Sequence, residues 1–112
     1  MTHNQVNIER AVLSSYLLLD LTTDDNREKL DKDIFIMPFH KRLAERINES
    51  ISKKEPLPFL LCLLQDKVIG TQYENDLLLI EATIPLDHKC GLGWYINYLT
   101  QNKVERIFNN ER

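Results

Sequence analysis

Four apolar residues at every fourth position, Phe39, Leu43, Ile47 and Ile51, constrain the fold of this chain more than any other feature. A turn of 3.6 residues lays them in one stripe along an α-helix. Pro38 suits the first turn, where its missing N–H would go unbonded in any case and its φ is already set. The other side carries Arg42, Glu45, Arg46, Glu49 and Lys53, with Arg42 and Glu45, and Glu49 and Lys53, spaced to pair. Each such pair contributes only about 0.2–0.5 kcal/mol, so this side reads as a solvated face, with partner docking as its competing use.

The rest of the chain repeats the helical pattern. In Asn7 to Leu19, Ile8, Ala11, Val12, Ser15 and Leu19 share a face that Tyr16, Leu17 and Leu18 widen, which predicts a well-buried helix end. Thr22, Thr23 and Asp24 are candidate caps for a short helix containing Arg27 to Leu30. Ile34 to Met37 is an apolar connector stopped by Pro38, and for want of a partner strand it reads as a packed turn. After the break Glu55-Pro56-Leu57-Pro58, the run Phe59 to Leu64 is a helix apolar all round, which neighbours must cover. A turn at Gly70 leads to a helix with Tyr73, Leu77, Leu78, Ile80 and Ala82, ended by Pro85. The loop Leu86 to Gly93 delivers a long final helix with Trp94, Tyr95, Tyr98, Leu99, Val104, Ile107 and Phe108. The expectation is one all-α domain over residues 1–112, a compact bundle of about six helices. Residues 1–90 form its globular part and 91–112 its longer terminal helix.

A chain of 112 residues is long enough to bury a modest core unaided, and only 3 glycines favour helices over a turn-rich sandwich. With 14 basic and 17 acidic residues the net charge is -3, so no global positive field draws the chain to phosphate, and direct nucleic-acid binding should be weak or absent. The first residues lack signal architecture and the longest apolar run is far short of a bilayer span, which predicts a cytoplasmic protein without a membrane segment. Cys62 within leucines and Cys90 beside glycine read as reduced intracellular thiols.

Catalytic patterns are thin. Gly70, Gly91 and Gly93 are the only glycines, and none belongs to the Gly-Lys-Ser/Thr cradle that nucleotide hydrolysis needs. Gly91-Leu92-Gly93 lacks both the preceding strand and the third glycine of a dinucleotide loop. His3, Cys62, His88 and Cys90 could nominally hold zinc, but not at knuckle spacing, and a Cys90–His88 nucleophile lacks a third orienting group. His40 reads as packing or hydrogen bonding at a helix start. The chain is expected to be no enzyme, with neither cofactor nor metal. The final helix holds the one tryptophan with two tyrosines, types favoured as interface anchors, so Trp94, Tyr95, Tyr98 and Leu99 are the candidate partner interface. Stacking of single-stranded DNA on Tyr95 and Tyr98, with Lys103 and Arg106 on phosphates, is the competing use. A duplex-reading helix bearing Arg42 and Arg46, interrupted by Glu45 and Glu49, is a further one.

These residues also carry a family resemblance. Glu9 to Leu13 within a Glu-x-x-Val-Leu-x-x-x-Leu helix, the acidic segment Thr23 to Leu30, Asp33 with Phe35, and the His-led helix His40 to Ile51 follow in the order found in the N-terminal domain of DnaB-type replicative helicases. The later helix, turn, helix and the Pro before the last helix match in order as well. One extra residue separates Asp33 from His40 compared with the usual spacing. The aromatic-led final segment resembles the first arm of the hairpin that pairs subunits in that family. The resemblance implies an interaction module without the motor, whose partners are the replicative helicase, the DnaG-type primase, or a second copy in a homodimer. The C-terminal helicase-binding domain of such primases shares the fold. Met1 directly before the domain favours the helicase-type or a free-standing module, whereas the short tail after Val104 resembles the end of a primase.

Overall fold

A computed structural model describes residues 3–18, 29–55, 64, 66–83 and 91–110. Among them the regular structure is all helical: α1 (His3–Leu18), the 3-10 turn Lys32–Ile34, α2 (Pro38–Ser52), α3 (Glu74–Ala82) and α4 (Gly93–Asn110), with further helical residues at 64 and 66–68. None of these helices is long and apolar enough to cross a membrane. Most of the short helix expected at Arg27 to Leu30 lies outside the described residues. So do the Phe59 to Leu64 helix apart from Leu64, the Leu86 to Cys90 segment, Cys62, and the side chain of His3.

The centre of the bundle is α1, which packs against α2, α3 and α4. Every residue from Ala11 to Leu17 is buried, because those three helices enclose its C-terminal half on all sides. The well-buried helix end expected from the Tyr16, Leu17 and Leu18 run is what the structure has. Val12, Leu13 and Leu17 meet Leu43 and Ile47 of α2, Leu77 and Ile80 of α3 and Leu99 of α4 in one apolar cluster. Burying each such leucine or isoleucine contributes about 1.5–3 kcal/mol. The serines in this dry environment are satisfied locally: Ser15 donates to the Ala11 carbonyl at 2.7 Å and Ser14 to the Thr83 carbonyl at 2.7 Å, just past the end of α3.

Ile34 to Met37 forms no strand, as the lack of a partner implied. Asp31 accepts from the Asp33 N–H at 3.0 Å to start the 3-10 turn, which drives Ile34 and Phe35 into the core. Lys29 and Leu30 are not helical, contrary to expectation. The reason is Asn48, whose side-chain amide accepts from the Leu30 N–H at 2.7 Å and donates to the Leu30 carbonyl at 2.6 Å, occupying both groups a helix would use.

Helix α2 starts with Pro38 in its first turn and buries Phe39, Leu43 and Ile47, with Ile51 partly buried. Its end is a Schellman cap: Glu55 N–H bonds the Ser50 carbonyl at 2.9 Å and Lys54 N–H the Ile51 carbonyl at 3.1 Å. Lys54 holds the left-handed position at φ 58. Of the two expected surface pairs, Lys53 does bond Glu49 at 3.0 Å. Arg42 and Glu45 do not pair: Glu45 binds Lys32 of the 3-10 turn at 3.0 Å, and Arg42 lies over the Tyr73 ring, 5.7 Å from its centroid.

Candidate functional site

Two features stand out beyond the apolar core, a buried charge network and the outer face of α4. The network begins at Glu9, which α1 carries among apolar neighbours with 0% exposure. Its Oε2 accepts from Gln5 Nε2 at 2.7 Å and from the Ile36 N–H at 3.1 Å, and its Oε1 lies 2.8 Å from His40 Nδ1. His40 sits in the first turn of α2, wholly enclosed, with Phe35 and Phe39 rings beside it. Its Nε2 stands 2.9 Å from Asp76 Oδ2 of α3, off the axis of a linear hydrogen bond, so this contact is an ion pair. Asp76 Oδ1 in turn accepts from Arg10 Nε at 2.9 Å.

Burial by itself would raise the Glu9 pKa, yet the hydrogen bonds from His40, Gln5 and the Ile36 N–H hold it below the usual carboxylate value. Burial likewise opposes charge on His40, but Asp76 and Glu9 outweigh it and raise its pKa. At Asp76 burial is again overcome, by His40 first and then Arg10, and the carboxyl is held down. When His40 carries its proton, two carboxylates face an imidazolium and a guanidinium, and the charges of the network balance. A Glu, His and Asp in a row has the composition of an acid–base relay. Here the ring has no exposed surface, so in this conformation it joins helices and touches no substrate. The structural reading of His40 therefore agrees with its position. Among the described residues no group of His, Cys, Asp or Glu is arranged to hold a metal ion.

The network comes to the surface at Arg10 and Asp76, whose side chains are 21% and 14% exposed. They line an open cleft of about 390 Å³ with Phe39, Gln72, Tyr73 and Asn75. Phe39 and Tyr73 stack with centroids 4.8 Å apart and planes 6° from parallel.

The four residues expected to form an interface divide into three groups. Leu99 is completely buried in the core, because its side of α4 faces α1. Tyr95 and Tyr98 pack partly against the core, and Tyr98 lines a second cleft of about 360 Å³ with Gln5, Asn102 and Arg106. Trp94 is 61% exposed, its ring stacked on Tyr98 at 5.7 Å. Beyond it, Val104, Ile107 and Phe108 are also exposed; Gln101, Phe108 and Val104 continue the Trp94 side of the helix, whereas Ile107 lies about 140° round from it. Polar ties fix the inner side: Asn102 Nδ2 to Gln5 Oε1 at 2.6 Å, Lys103 to Asp31 at 2.6 Å, and Arg106 to the Asp33 carbonyl at 3.1 Å. Lys103 and Arg106 are thus engaged within the protein rather than displayed beside the aromatic rings.

Sequence reasoning missed Glu9, Arg10 and Asp76 as a group. The one available signal was a glutamate flanked by Ile8, Ala11 and Val12 on a helix that is otherwise strongly apolar. Of the four α4 residues it singled out, Trp94 is exposed and Leu99 buried, and Val104, Ile107 and Phe108 are exposed on the same helix. No family model matches the chain, and neither a curated protein nor a solved structure does.

Proposed function

We propose that this chain is a non-catalytic interaction domain of the DNA-replication machinery, which binds a replicative helicase and its primase and self-associates through α4. The observation that carries the reading is the outer side of α4, where Trp94, Val104, Ile107 and Phe108 stand exposed on a helix whose inner side is fully engaged. Trp94, Val104 and Phe108 share one side of this helix, and large apolar side chains so gathered are costly in water and gain by being covered across an interface. The resemblance of Glu9 to Leu13, Asp33 with Phe35 and His40 to Ile51 to DnaB-type N-terminal domains supplies the identity of the partners. Duplex DNA is the lesser alternative, and it gains no support from an α2 whose Arg46 pairs with Glu49 at 3.1 Å and whose Arg42 is drawn to Tyr73.

Calorimetric titration of the chain against the primase and the replicative helicase of its own organism tests the proposal. Binding to primase marks the helicase-type module, and binding to helicase alone marks the primase-type one. Trp94→Ala combined with Phe108→Ser should weaken that binding, or the self-association read by sedimentation, with helicity unchanged. Silence with both partners and a monomer at all concentrations would refute the proposal.

A further inference from the structure

The cleft beside Arg10 lies on α1, α2 and α3, away from α4, and its chemistry is independent of the α4 reading. Arg10 is held by its Nε on Asp76, while among the described residues its two terminal nitrogens make no hydrogen bond. Asp76 has both oxygens engaged, one by Arg10 and one by His40. Arg42 binds no carboxylate and instead donates to the Tyr73 hydroxyl at 3.4 Å. The nearby Glu74 is held by the Gly70 N–H at 3.0 Å. With His40 protonated, three cations, Arg10, His40 and Arg42, stand beside three carboxylates, Glu9, Asp76 and Glu74, so the capacity of the cleft to take an anion lies in the unbonded terminal nitrogens of Arg10 rather than in a net charge.

An immobilised guanidinium with free terminal N–H groups is suited to a carboxylate, which it can hold by two parallel bonds. Beside it stand the Phe39 and Tyr73 rings and Leu79, which is 42% exposed, a surface for an apolar side chain. Gln72 and Asn75 are exposed at the same cleft and offer amides to a peptide backbone. A volume of about 390 Å³ is at the small end of ligand sites and fits a residue or two rather than a whole domain.

We infer that this cleft binds a short segment of a protein partner in which an acidic residue adjoins a large apolar one, with the carboxylate on Arg10 and the apolar side chain against Phe39, Tyr73 and Leu79. One such anchor by itself binds weakly, and its role is to orient a partner held elsewhere.

The test is an NMR titration of the isotopically labelled chain with the blocked dipeptide acetyl-Asp-Leu-amide and, separately, acetyl-Asn-Leu-amide. The acidic peptide should move the Arg10 Nε–H signal, the side-chain amides of Gln72 and Asn75 and the backbone amide of Leu79, with a Kd in the millimolar range. Replacing its carboxylate by the amide should weaken binding about two- to fivefold, the range for a partly exposed ion pair. Arg42→Gln removes a neighbouring cation and its contact with Tyr73 without touching the buried network, so it should weaken the acidic peptide more than the neutral one. Equal binding of the two peptides, shifts confined to other surfaces, or no shifts at about 10 mM peptide would overturn the inference. None of these results depends on whether α4 binds a replication protein.

Discussion

Glu9 Oε1 and His40 Nδ1 stand 2.8 Å apart with neither side chain exposed to solvent, and this contact joins the central helix α1 to the first turn of α2. The same ring reaches Asp76 with its other nitrogen, so a single histidine connects three helices. Removing a charge from water is costly, and the cost is offset only where each charge keeps its partners. The tie is therefore directional: it supports the one packing in which all of these groups meet.

Stability should follow the protons on this network. His40 binds its proton more tightly folded than unfolded, so its contribution is fully present below its ordinary pKa of 6.5 and is lost as pH rises through the higher folded value. Glu9 and Asp76 are shifted the other way. Their contributions are full above their ordinary values of 4.5 and 3.8 and are lost as pH falls through the lower folded ones. All three are complete between pH 4.5 and 6.5. Thermal melts from about pH 3 to 9 should show a maximum across that window and a decline on both sides. A Tm that climbs steadily through neutral pH would contradict this account.

Glu9→Gln keeps the size of the side chain but removes the charge facing His40. Breaking a buried pair in this way costs about 3 kcal/mol, a large part of a small domain's stability. Urea unfolding followed by circular dichroism should show the midpoint falling with an unchanged m-value. A loss below about 1 kcal/mol would mean that the pair is worth no more than an exposed one.

How much of this was legible in the sequence depended on distance along the chain. The α2 stripe was plain because Phe39, Leu43 and Ile47 declare their face locally, and so was the turn at Ile34 to Met37, stopped by Pro38. His40 was read correctly as structural, but its partner Glu9 lies 31 residues away and no periodicity links them. Arg42 with Glu45 failed for the same reason: Lys32 and Tyr73, brought in by other segments, took the two partners. Aromatic content singled out α4 but not which of its residues face outward, because Leu99 and Phe108 are equally apolar and only the packing of α1 distinguishes them.

The end of α2 holds a correctable strain. Lys54 occupies the left-handed region at φ 58, where a Cβ crowds the neighbouring carbonyl. Lys54→Gly removes that crowding and keeps both cap hydrogen bonds, at the expense of a more flexible unfolded chain. The net expectation is a gain of about 0.5–1 kcal/mol, visible as a higher urea midpoint. A lower midpoint would show that the lysine makes a contribution its backbone geometry does not reveal.

Leu99 and Trp94 lie five positions apart on α4, both apolar, with opposite surroundings: one has no exposure and the other 61%. Leu99→Ala should leave a cavity against α1 and cost about 2–5 kcal/mol. Trp94→Ala removes a ring that rests mainly on Tyr98 and Tyr95, so its cost should stay near 0.5 kcal/mol, close to that of an ordinary surface change. Association should respond in the reverse order, with Trp94→Ala weakening it and Leu99→Ala affecting it only through the folded fraction. Parallel urea melts and sedimentation runs on the two variants separate these effects. If both variants lose stability equally, Trp94 belongs to the core after all, and the outer side of α4 begins only at Val104.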